Sequence, residues 1–130
     1  MVPFLGEVAR TNANEELAKA ATYTIGNISS AHAASELKRI MKEAKSVEVQ
    51  KAALYTLGNS GGPDAVAALQ DAALTNQSQE LRKAAAYALS NTNEPGAFAA
   101  LKEIVSTGND PQTQEAALQI YLHFLDMENL

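Results

Sequence analysis

The stretch Glu48-Val-Gln-Lys-Ala-Ala-Leu-Tyr-Thr-Leu-Gly-Asn59 returns twice elsewhere in the chain with small changes. It reads Glu16-Leu-Ala-Lys-Ala-Ala-Thr-Tyr-Thr-Ile-Gly-Asn27 upstream and Glu80-Leu-Arg-Lys-Ala-Ala-Ala-Tyr-Ala-Leu-Ser-Asn91 downstream. The starts at 16, 48 and 80 lie 32 residues apart, and a looser fourth copy begins at Gln112, keeping Ala116-Ala117 but carrying Gln119 in place of Tyr. A fixed period of this length marks a stacked repeat architecture in which each unit is a short supersecondary element.

The rest of the unit keeps the same spacing. Leu5, Leu37, Leu69 and Leu101 form one column, and Val8, Ile40, Ala72 and Ile104 form another. Residues 14, 46, 78 and 110 are Asn, Ser, Ser and Asp. These are the residue types whose side chains accept from the free amides of a first helical turn. Pro111 follows the last of them, at a position where a missing N–H costs nothing. A first helix, A, therefore starts just after this column, with an apolar stripe at 17, 20, 21 and 24 or 25. Gly26 and Gly58 are expected to end it. Pro63 and Pro95, with Ala31 as their counterpart, open a second helix, B. Its stripe is Ala34, Leu37, Ile40, Met41 and Ala44, repeated at Val66, Leu69, Ala72, Ala73 and at Phe98, Leu101, Ile104, Val105.

The expected fold is thus all-α: a right-handed solenoid of helical hairpins forming a single domain over 1–130. It divides into a half-repeat 1–12, repeats 14–45, 46–77 and 78–109, and a terminal helix 110–130. No unit can bury its apolar faces alone, and stacking does so. Alanine makes up much of the 46% apolar content, which favours helix and lets helices approach closely.

Composition narrows the function. The net charge of −5 argues against nucleic acid, whose binders gain most of their affinity from basic contacts to phosphate. With no cysteine, thiol chemistry, disulfides and cysteine-ligated metals are excluded. The longest apolar runs are far short of a membrane span, and the opening Met1-Val-Pro-Phe-Leu-Gly6 is too short for the apolar core of a signal peptide. A cytoplasmic protein without membrane contact is expected. His32 and His123 fall in distant units, so no metal site is expected. The carboxylates are spread over solvent faces, and Gly61-Gly62-Pro63 reads as a turn, not a phosphate loop. No catalytic residue or cofactor is expected.

The segment Val49–Leu69, and with it most of residues 14–125, resembles the short HEAT-like repeats of bacteria and archaea, including those of phycobilisome-lyase type. The resemblance implies a solenoid whose B helices line a concave face that binds proteins or other ligands. It also admits an accessory subunit of a chromophore lyase. Tyr23, Tyr55 and Tyr87 depart from the polar residue usual in that family.

Three features are candidates for recognition. The B-helix face opposite the apolar stripe carries Ser35, Lys38, Arg39 and Lys42, then Ala67, Gln70, Asp71 and Leu74, then Ala99, Lys102, Glu103 and Ser106. Its first unit is basic, with Lys45 close behind, and suits an acidic segment of a protein partner. The tyrosine column, each member four residues after Lys19, Lys51 or Lys83, is either a strip for a partner or a packing ladder along the flank. Recurrence in each unit favours the ladder, and the column Asn27, Asn59, Asn91 reads as turn structure. Finally, the last helix is apolar nearly all round at Leu118, Leu122, Phe124 and Leu125, which suits a cap or a homodimer contact.

Overall fold

The computed structural model describes residues 2–28, 31–60, 63–92 and 94–128, with side chains described at all of these but 31, 60, 63, 124 and 126–128. Gly61, Gly62, Asn129 and Leu130 lie outside that description, as do the side chains of Phe124 and of residues 126–128. Among the described residues there are eight helices and no strand: α1 (Val2–Thr11), α2 (Glu15–Gly26), α3 (Ala31–Glu43), α4 (Val47–Ser60), α5 (Pro63–Thr75), α6 (Gln79–Leu89), α7 (Pro95–Thr107) and α8 (Pro111–Glu128). The chain is an all-α repeat solenoid. Helices α2, α4, α6 and α8 pack side by side as the A layer; α1, α3, α5 and α7 are the B helices, each packed on the A helix that follows it.

The helix starts follow from local chemistry. Asn14 accepts from the Leu17 amide and Ser78 from the Leu81 amide. Ser46 accepts from the Glu48 amide, and Asp110 from the Gln112 amide. Each such cap stabilises its helix by about 1 kcal/mol. Asn12 and Asn76 add a turn just before, accepting from the amides of Asn14 and Ser78.

The interior is one continuous row. Leu37, Leu69 and Leu101 are 2%, 0% and 0% exposed, and Ile40 and Ile104 are fully buried beside them. Removing such a side chain from water stabilises the fold by about 1.5–3 kcal/mol. Thr22 and Thr56, buried among alanines, donate their hydroxyls to the carbonyls of Ala18 and Ala52 four residues back, so no polar group is stranded.

Three sequence expectations need correction. In α2 the buried stripe is Ala18, Ala21, Thr22 and Ile25, while Leu17 and Ala20 are exposed. The counterparts of Leu17, which are Val49, Leu81 and Thr113, are buried. Leu17 faces the side where units two, three and four meet a preceding A helix, and α2 is the first of that layer. Second, Gly58 does not end a helix; α4 runs through it to Ser60. A Cβ there would lie 2.5 Å from the Ala88 carbonyl oxygen, so this glycine lets α4 approach the backbone of α6. Gly26 does close α2. Third, the asparagine column is turn structure at Asn27, which caps α2, and at Asn91, but not at Asn59, which sits inside α4.

Candidate binding surface

The expected B-helix residues fall on the outward side of their helices, except Leu74, which packs against the core. Ser35, Arg39 and Lys42 are exposed on α3, with Lys38 half-buried beside them. On α5, Asp71 is exposed and Gln70 and Leu74 are half-buried; on α7, Lys102, Glu103 and Ser106 are exposed. The small column Ser35, Ala67, Ala99 is exposed throughout, so a partner can come close to the helix backbones. Gln70 donates to Glu103 at 2.6 Å, tying α5 to α7 across the face. Arg39 pairs with Glu43 one turn on, at 3.0 Å and about half exposed, a contact worth only tenths of a kcal/mol. Lys42, in the last turn of α3, and Lys45, just past its end, are both exposed and give this unit its basic character.

Two clefts open at the foot of the B helices, and they are the same cleft repeated. One, of about 420 Å³, is lined by Met41, Lys42, Val47, Gln50, Asp71, Thr75, Ser78 and Leu81. The other, of about 340 Å³, is lined by Ala73, Leu74, Arg82, Asp110, Thr113 and Gln114 among others. The lining positions are offset by the repeat. The clefts bring Lys42 and Asp71 together and place Leu74 in the second, which the linear sequence did not reveal.

Their polar floors do structural work as well. Gln50 donates to the Met41 carbonyl at 3.0 Å, Gln114 to the Val105 carbonyl at 2.9 Å, and Arg82 to the Asn76 carbonyl at 2.6 Å. Each satisfies a carbonyl at or just past the end of a B helix, where no backbone amide is in position. The signal was present in the sequence as the column Gln50, Arg82, Gln114, one residue after the N-cap turn, with Ala18 as its silent member. Arg82 also reaches Asp110 at 3.1 Å. Hydrogen bonds from Thr113, Gln79, Arg82 and the Gln112 amide hold the Asp110 carboxyl well below its ordinary pKa, with Thr113 the largest cause.

The tyrosine column lies on the A layer and lines neither of these clefts. Tyr23 and Tyr87 are about half exposed and Tyr55 is partly buried. Lys51 bridges Glu80 of the next helix at 2.9 Å and Glu48 of its own at 3.5 Å, which holds its ammonium above the usual lysine range. Lys19 pairs with Glu16 at 3.1 Å and shifts the same way. A shallow groove of about 320 Å³ runs between Lys51, Tyr55, Glu80, Lys83 and Tyr87. At the last helix, Leu118 and Leu122 are 41% and 48% exposed, Leu125 is partly buried, and Phe98 stacks on Tyr121 with ring centres 4.5 Å apart.

The model of the HEAT repeats family matches residues 2–89 and again 48–120. The chain is a HEAT-repeat protein. Among solved structures, human deoxyhypusine hydroxylase in complex with glycerol superimposes with a TM-score of 0.71 at 24% identity, over 95% of this HEAT chain. The match covers 44% of the hydroxylase, so the chain spans less than half the length of that structure, and the likeness is one of fold. No curated protein sequence matches. Among the described residues of this HEAT-repeat chain, no three His, Cys, Asp or Glu side chains gather as a metal site would need, and His32 and His123 are both exposed on separate helices. No described helix is long and apolar enough to cross a membrane.

Proposed function

We infer that this HEAT-repeat chain is a non-catalytic protein-binding module that holds a polypeptide segment along its B-helix face. The observation that carries the reading is the outward column Ser35, Ala67 and Ala99, exposed in each unit and flanked by charged side chains that recur at the repeat spacing. Small side chains let a segment lie close to three successive helices, while Lys38, Arg39, Lys42 and Lys45 at one end supply a grip for acidic residues. The clefts support a polypeptide over an apolar pigment, because Arg82, Asp110, Gln50 and Ser78 line them.

The test is capture of a partner on immobilised protein at physiological salt. A protein retained by the native chain is lost with Ala67→Arg, which blocks the face sterically, and weakened by Lys38→Glu with Lys42→Glu. A chain that retains nothing, or a partner indifferent to Ala67→Arg, defeats the inference.

Leu118 and Leu122 favour a second reading, pairing of two copies through α8 about a two-fold axis. Light scattering that shows a single chain at high concentration removes it.

A further inference from the structure

The fixed period lets each residue of α8 be compared with its counterparts in earlier units. Thr22, Leu54 and Ala86 are fully buried, whereas Leu118 at the same position is 41% exposed. Leu17 is 50% exposed, whereas Val49, Leu81 and Thr113 are 1%, 2% and 2% exposed. The first set therefore faces the unit ahead and the second the unit behind. Because α1 is a B-type helix and α8 an A-type helix, a second copy set against α8 would continue the alternation without a break.

Much of such a join is favourable. The incoming end presents Phe4, 67% exposed, and Leu17. The Gln70–Glu103 bond shows which B-helix positions meet across successive units, and at the join their counterparts are Lys102 and Glu7, of opposite charge. Exposed apolar ends with matching register are what build open filaments from a heterologous contact.

Two residues of α8 oppose it. At the position held by Gly26, Gly58 and Ser90 stands Leu122. A single carbon added to Gly58 would come within 2.5 Å of the next helix's carbonyl, at Ala88. At the join that carbonyl belongs to Thr24 of the incoming copy, and Leu122 drives a whole isobutyl group at it. At the position held by Lys19, Lys51 and Lys83 stands Glu115. Lys51 bonds Glu80 of the next helix, so at the join Glu115 meets the incoming Glu16 instead. Like charges placed this way suppress the wrong pairing.

We propose that α8 is a built-in stop, in which Leu122 and Glu115 keep copies of this chain from stacking end to end. It leaves untouched a two-fold pairing through α8, which stops at two chains. The test restores the interior chemistry: Glu115→Lys with Leu122→Gly, glycine being the residue α2 and α4 carry there. Both sites are exposed, so the helical spectrum should persist. Measured by light scattering and sedimentation over rising concentration, the native chain stays at or below two chains, while the average mass of the variant climbs past two. Adding Leu17→Asp to the variant returns it to the native mass. Glu16→Lys with Leu122→Gly restores the opposite charges from the other end and gives the same growth, so a folding failure in one variant does not shelter the idea. Native protein that itself grows past two chains overturns the proposal, as do folded variants that hold the native mass.

Discussion

Replacing Gly58 by alanine sets two effects of known sign against each other. In the middle of a helix, alanine is better than glycine by about 0.5–1 kcal/mol, because the glycine backbone loses more freedom on folding. The added methyl of Gly58→Ala, however, meets the Ala88 carbonyl oxygen at 2.5 Å and the Ala88 carbonyl carbon and Cβ at 3.2 Å. Ordinary contacts between carbons lie at about 3.5–4.0 Å, so α4 and α6 must part by something near 1 Å. The obstacle is backbone, flanked by the fully buried Leu57 and Leu89, and cannot swing aside. Overpacking of this kind costs about 1–3 kcal/mol, which leaves a net loss of up to about 2.5 kcal/mol. Gly96→Ala is the control. It lies in the first turn of α7, and its methyl would make an ordinary 3.7 Å contact with Val66, so it should gain up to about 0.5 kcal/mol. Urea titrations followed by circular dichroism, with thermal melts differing by several °C, measure both. If Gly58→Ala is as stable as Gly96→Ala, glycine is not there for helix approach and the spacing argument for α8 weakens with it.

Other outcomes follow from the same geometry. Leu69→Ala removes a fully buried side chain at the centre of the interior row and should cost about 2–5 kcal/mol by urea unfolding. Gln114→Leu leaves the Val105 carbonyl without its donor and should cost about 1–3 kcal/mol, while Gln119→Leu, exposed on the same helix, should change stability little. The Asp110 carboxyl titrates lower in the folded chain than its unfolded value near 3.9, so its contribution is present above that value and is lost as pH falls below about 4. Asp110→Asn should accordingly be less stable at neutral pH and show a shallower acid loss in melts taken from pH 7 to pH 2.

The sequence by itself determined the architecture. Identical spacing of Leu37, Leu69 and Leu101, of the four N-caps and of the alanine pairs is a local code, repeated, and the interior units meet the same neighbours, so within them the period predicts which columns are buried. It also placed the recognition candidates on the B-helix face, because a helical wheel separates outward from inward residues without reference to the rest of the chain. What it could not decide depends on contacts between units. Leu17 and Val49 are interchangeable as sequence, yet one is exposed and the other buried, because only the stack has a front and a back. Gly58 reads as a helix end and is a helix interior, because the demand for glycine comes from α6, 30 residues further on. The clefts that join Lys42 to Asp71 exist only where one unit's B helix meets the next unit's N-cap. Propensity and periodicity act along the chain; burial, close approach and charge pairing act between helices, and those the assembled solenoid alone settles.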